Sequence, residues 1–145
     1  GGYEPVEILK LLDGIVDIYL PDFKYTDGAM AEKYSAGAKD YPEVAGAAHI
    51  EMHRQVGELI VDENGIALRG LMIRHLVMPN NIAGTKKFVE FVAQKLTRST
   101  YVNIMAQYRP EHQAFKYPEL SRRLTLGEYH QAVAWAREAG LTRLD

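Results

Sequence analysis

Apolar residues recur along this chain with two alternating periods, one close to four residues and one of two. Glu4 to Leu12 carries Val6, Ile8, Leu11 and Leu12 behind Pro5, and the spacing predicts a short helix stopped by Asp13-Gly14. Ile15 to Leu20 is apolar and bounded by Gly14 and Pro21, a strand pattern. A loop and a helix-like stretch follow, punctuated by Gly28 and Gly37. In "DYPEVAGAAHIEMHRQVG", Val44, Ala48, Met52 and Val56 repeat every fourth residue, which predicts a helix ending at Gly57. "ELIVDENGIALRGLMIRHLVMP" reads as a hairpin about the "ENG" turn. Its long second arm, Ile66 to Val77, contains Gly70, where a bend or bulge is expected. Phe88, Val89, Val92 and Leu96 mark an amphipathic helix, and "STYVNIMAQY" a further strand. A long polar and aromatic loop, with one helical turn, leads to a last helix. Thr125 and Glu128 have the capping-box spacing at its start, and Gly140 is its stop.

The order is α β α β α β α. Strands alternating with helices imply right-handed crossovers and a mainly parallel sheet. Three main strands are few for a doubly wound domain and too few for a closed barrel, but they suit part of one. The 145 residues make one domain of ordinary size, with no internal repeat and no low-complexity linker.

Composition narrows the chemistry. A net charge of −2 argues against a general nucleic-acid binder, which needs a basic face. The chain has no cysteine, which excludes disulfides and any thiolate-held zinc or iron–sulfur site within it. No apolar run reaches the roughly 18 residues of a membrane helix, so a cytoplasmic location is expected. The start, Gly1-Gly2-Tyr3-Glu4, has no initiator methionine. It reads either as a piece of a longer protein or as a processed or tag-derived start.

In parallel α/β architectures, sites form at the C-terminal ends of strands. The first strand ends in Asp22 and Lys24, two residues apart and so on one face if extended. The second carries Arg74, His75 and Leu76. The third leads to Asn103, Gln107, Tyr108 and Arg109, with His112 beyond. Asp22 and Lys24 admit two readings, a solvated surface ion pair or the wall of a pocket. Arg74 lies in the apolar run "LMIRHLVM", where a charge must be paired or face a cavity. His75 points the other way, beneath a helix. His49 and His53, one helical turn apart, have a metal-ligand spacing but no evident third ligand, and a half-exposed helix face is the alternative. "PNNIAGT", before the helix at Lys86, offers backbone amides to an anion or is simply a turn.

The segments "LLDGIVDIYLPDFKY", "EMHRQVGEL", "GLMIRHLVMPNN" and "YVNIMAQYRP", in this order and over nearly the whole chain, resemble the C-terminal half of radical S-adenosylmethionine proteins. The relatives of pyruvate formate-lyase activating enzyme are the nearest group. The resemblance implies an α/β chain forming the C-terminal half of a partial (β/α)6 TIM-like barrel. In that family a C-x-x-x-C-x-x-C loop holds a [4Fe–4S] cluster. Reductive cleavage of S-adenosylmethionine there gives a 5′-deoxyadenosyl radical, which abstracts hydrogen from a substrate, a glycyl-radical protein for the activating enzymes. The cluster loop belongs to the half of the fold this chain lacks, so the chain alone is expected to bind no cluster, to run no radical chemistry and to supply ligand-pocket residues only.

By position, the resemblance carries Asp22 and Lys24 onto the acid and base closing the ligand pocket. It makes Arg74 a strand arginine reaching the ligand and Leu76 its apolar neighbour, and it sets Tyr108 and Arg109 beside the adenosine region. Arg109 stands where the activating enzymes have a histidine. The expected partners are S-adenosylmethionine, a glycyl-radical protein substrate, and a second copy of the chain, since half a barrel leaves sheet edges and one face open. Nucleic acid and membrane are not expected. The alternative is a small non-redox α/β domain for ligand binding or protein interaction.

Overall fold

The computed structural model describes residues 1–145. A proline or a capping side chain marks the start of four of its helices. Pro5 precedes α1 (Val6–Lys10). The Asp27 carboxylate accepts the Ala29 and Met30 amides at the start of α2 (Gly28–Tyr34). α3 (Tyr41–Val56) has Pro42 in its first turn and stops at Gly57, whose φ of 72° suits glycine. α4 spans Thr85–Lys95. α5 (Leu126–Glu138) opens on a complete capping box of Thr125 and Glu128, as its spacing predicts.

The sheet is built on β3 (Ala67–Leu76). β1 (Ile18–Tyr19) pairs parallel to it with Tyr19 opposite Leu71, and β4 (Tyr101–Met105) pairs parallel on the other side with Asn103 opposite Arg74. β2 (Ile60–Val61) is the antiparallel hairpin arm. Asp62 builds the hairpin turn, its carboxylate accepting the Asn64 and Ile66 amides. Gly70 interrupts the long arm. Its φ is 118°, and a Cβ there would lie 2.3 Å from the Glu58 carbonyl oxygen, so only glycine lets the two backbones approach.

β1 is shorter than the expected Ile15–Leu20, because residues 11–15 turn and Pro21 has no amide to donate. The ladder resumes beyond the proline. Arg74 donates its amide to the Pro21 carbonyl, Phe23 donates to the Arg74 carbonyl, and Asp22 bridges to Arg74. Short extended segments flank these strands at both edges. The Asp22 amide donates to the Gly1 carbonyl, and Leu144 bridges parallel to Val102. The parallel neighbours therefore follow chain order, from β1 through β3 and β4 to Leu144, with Gly1 hydrogen-bonded beyond β1. The chain is α/β with an open, mainly parallel sheet.

Right-handed crossovers between consecutive parallel neighbours would put the connecting helices on one face. The burial pattern agrees. Leu71, Ile73, His75 and Val77 of the β3 region, and Val102 and Ile104 of β4, are buried. Phe23 sits at the centre of that core, with ring centroids 5.2 Å from Phe88, 5.5 Å from Phe91 and 5.0 Å from His49. The opposite face carries Met72, Arg74, Leu76, Tyr101, Asn103 and Met105, all half-buried. On the same face Ile18 is 40% exposed and Leu20 49%. No helix is long and apolar enough to cross a membrane.

Phe88 is fully buried and stacks on His75 at 4.2 Å between centroids. Phe88→Ala removes a large core ring, and urea denaturation should record a loss of about 3–5 kcal/mol. A loss below about 1 kcal/mol would mean that this core is not the one that holds the fold.

Candidate functional site

Strand alternation decides which side chains reach the open face. Phe23 turns into the core, so Asp22 and Lys24 on either side of it turn out. Arg74 and Leu76 of β3 arrive on the same face by the same rule. These four, with Phe23, Tyr25, Met78 and Met105, line a cavity of about 340 Å³ at the C-terminal ends of β1, β3 and β4. That volume lies in the range of small-ligand sites.

Of the two readings of Asp22 and Lys24, an ion pair between them is not what forms. Arg74 Nε donates to Asp22 Oδ1 at 2.7 Å, a contact across 52 residues of chain. The pair is partly solvated, with side chains 41% and 24% exposed, so it contributes at most about 1 kcal/mol. Arg74 thus meets both sequence conditions, being paired and facing a cavity. Lys24 has no carboxylate partner and remains an unneutralised cation on the wall.

The backbone carrying these groups is held from behind. His75 is fully buried beneath α4, as its strand parity predicts. Its Nδ1 lies 2.7 Å from the Phe23 carbonyl oxygen and its Nε2 2.9 Å from Thr85 Oγ1. Nδ1 is therefore the protonated nitrogen, since a carbonyl can only accept. Tyr41 adds a second hold. Its hydroxyl accepts the Lys24 amide at 2.8 Å. Burial, the largest cause, pushes this phenol up to about 12, so it stays a neutral hydroxyl. Neither residue has a motif that announces the role. The only sequence signal is the parity of His75 against Arg74.

Tyr108 and Arg109 go elsewhere. Tyr108 is buried, and its hydroxyl donates to the Leu120 carbonyl at 2.9 Å, closing the loop that follows β4. Arg109 is exposed. Both line a second cavity of about 600 Å³, between α2 and residues 108–120. Tyr25 and Met78 belong to the walls of both cavities. The six expected site residues therefore divide four and two, across a shared partition.

Two other expectations need correction. His49 does not lie on a half-exposed face. It is fully buried, with Nδ1 donating to the Ala45 carbonyl at 2.7 Å. The Nε2 atoms of His49 and His53 have no hydrogen-bond partner, yet no group of three or more His, Cys, Asp or Glu side chains converges to hold a metal. In "PNNIAGT" the protein already uses amides proposed for an anion. Thr85 N–H donates to Asn81 Oδ1 and Asn80 N–H to Glu128 Oε1.

A stretch of 140 residues, 96% of this chain, is 38% identical to an uncharacterized protein of Methanocaldococcus jannaschii. The chain spans 37% of the length of that curated relative. No family model matches the chain. No solved structure matches it.

Burial holds His75 and His49 down to about 4, against 6.5 in an unfolded chain. Between these values the unfolded state binds more protons, so acid favours unfolding. Stability should be fully present above about pH 6.5 and fall as pH drops towards 4. Glu51 is also lowered, to about 2 by its bond to Arg54, but carboxylates act only below about 4.5. Urea denaturation between pH 7 and 5 therefore reports the histidines. His75→Gln should flatten that slope, and an unchanged slope would remove His75 from this account.

Proposed function

We propose that the chain is one arc of a partial (β/α)6 barrel and that its open face forms the wall of an S-adenosylmethionine pocket in a radical enzyme resembling the pyruvate formate-lyase activating enzymes. One observation carries this reading. Side chains from two neighbouring parallel strands, Asp22 and Lys24 with Arg74 and Leu76, meet at one cavity at the strand ends. Strand neighbours in chain order, with helices on one face only, are what a barrel arc requires and a doubly wound sheet does not. The face without helices is then the inner face.

The residues present do not fit an iron–sulfur cluster, because the chain has no thiolate. They do fit an organic ligand with a carboxylate and ribose hydroxyls. Lys24 is an unpaired cation beside the cavity, and the Arg74 guanidinium has further N–H groups beyond the one given to Asp22. Leu76, Met78 and Met105 supply apolar wall. When bound, S-adenosylmethionine would bring a sulfonium as the source of the 5′-deoxyadenosyl group. The chain's own part is to bind, to orient and to keep water out. Lys24 and Arg74 offset anionic and lone-pair groups of the ligand, and Asp22 holds the Arg74 fork in place. A reactive radical needs a closed, dry chamber. The apolar open face would then be covered in use, by further barrel strands or by a second copy of the chain. The hydrogen donor in this reading is a glycyl-radical protein or a small molecule.

The test is S-adenosylmethionine titrated into the 145-residue chain and followed by amide chemical shifts. The expected shifts cluster at Lys24, Arg74, Leu76 and Met105. Lys24→Ala or Arg74→Ala should weaken binding about tenfold, the cost of one charge-assisted hydrogen bond. Binding indifferent to both substitutions would sink the assignment. A parent polypeptide without a C-x-x-x-C-x-x-C loop would remove the radical chemistry and leave a non-redox α/β binding domain.

A further inference from the structure

We propose that the 600 Å³ cavity between α2 and residues 108–120 is a separate binding chamber for a planar aromatic or heteroaromatic acid, and that Tyr25 forms the partition where it meets the Asp22–Arg74 pocket. Reading that acid as the substrate that gives up hydrogen rests on the proposed function of the neighbouring pocket. The binding itself does not.

Size argues for a second molecule. Each cavity alone falls in the range that holds a small ligand, at about 600 Å³ and about 340 Å³. The linings also differ. The smaller cavity has Leu76, Met78 and Met105 with an ion pair, and shares Tyr25 with the larger. The larger one has the rings of Tyr25, Tyr34 and Tyr117, with Tyr34 and Tyr117 meeting edge to face at 5.0 Å. Such faces and edges suit a flat ring. Tyr25 is buried, but its hydroxyl has no protein partner and is not sealed from solvent, so it opens onto a cavity. That hydroxyl is free to hydrogen-bond a bound molecule.

Charge selects the ligand class. Lys33 is already neutralised by Glu119 at 2.5 Å, with its ammonium 5.0 Å from the Tyr34 ring centre and 5.4 Å from that of Tyr117. An ammonium ligand would find its aromatic seat taken. Arg109 lines the same cavity and forms no ion pair, leaving a planar guanidinium free for a carboxylate. Glu111, also in the lining, opposes this and limits affinity. The ties of Glu119 to Lys33 and Tyr34 hold the loop against α2. That favours a small molecule over a threaded peptide.

Saturation-transfer NMR on the 145-residue chain tests this with indole-3-carboxylate, indole-3-carboxamide and benzylamine. The acid should bind about tenfold more tightly than the amide. Arg109→Gln should abolish that preference, Glu111→Gln should increase it, and Lys24→Ala should leave it unchanged. Equal binding of acid and amide, preference for benzylamine, or no binding at millimolar probe would each overturn the proposal. If the acid preference holds while S-adenosylmethionine binding ignores Lys24→Ala and Arg74→Ala, the neighbouring pocket is misassigned and this chamber stands.

Discussion

The burial of one ring, Phe23, organises the rest. It lies between an acid and a base, and its neighbours are Phe88, Phe91, His49 and Tyr41. A fully buried Phe is worth roughly 1.5–3 kcal/mol in transfer alone. Once it turns inward, strand geometry leaves Asp22 and Lys24 no choice but the other face. A one-residue slip would bury both charges and expose the ring. Register and site are thus one constraint.

That constraint is reinforced by contacts that no single element could supply. β1 is short and broken by Pro21, so its end is weakly held by the ladder. His75 from β3 and Tyr41 from α3 take the Phe23 carbonyl and the Lys24 amide instead. His75 also reaches Thr85 at the start of α4. One imidazole therefore joins the strand end that carries the wall to the helix that covers the core. Burial keeps this ring neutral, so Nδ1–H donates to the Phe23 carbonyl and the Nε2 lone pair accepts the Thr85 hydroxyl.

Much of this was legible from local pattern. The Thr125–Glu128 box, the "ENG" hairpin and the Gly70 irregularity each depend on neighbours within a few residues, and the structure has all three. Parity along one strand also predicted the buried His75. What escaped depends on pairing between distant segments. Arg74 meets Asp22 rather than any local acid because β1 and β3 set their register 52 residues apart. Tyr108 was read as facing the same edge as Arg74. The chain leaves β4 at Met105, and the Tyr108 hydroxyl is captured by the Leu120 carbonyl, beyond reach of strand periodicity. The every-fourth-residue apolar stripe of α3 leaves His49 off its face, so the pattern alone makes it half-exposed. The helix is covered on more than one side, by α1, by the sheet and by Phe91 against Gly46.

The division of labour between the two faces has a further consequence. The core is a single cluster centred on the helix side and reaching the cavities through Tyr25 and Met78, and none of Asp22, Lys24 or Arg74 belongs to it. Stability is vested in Phe23, Phe88, Ile73 and their neighbours, while the charged side chains proposed for recognition add little to folding. A chain arranged in this way can change what its open face binds without unfolding. The same arrangement leaves that face with apolar side chains that its own fold does not cover. Ile18 and Leu20 beside Met72 and Leu76 form a surface that gains from any apolar cover. Whatever covers it would also exclude water from the Asp22–Arg74 cavity, strengthening each charge interaction there. Covering the apolar face and drying the cavity would, by this geometry, be the same event.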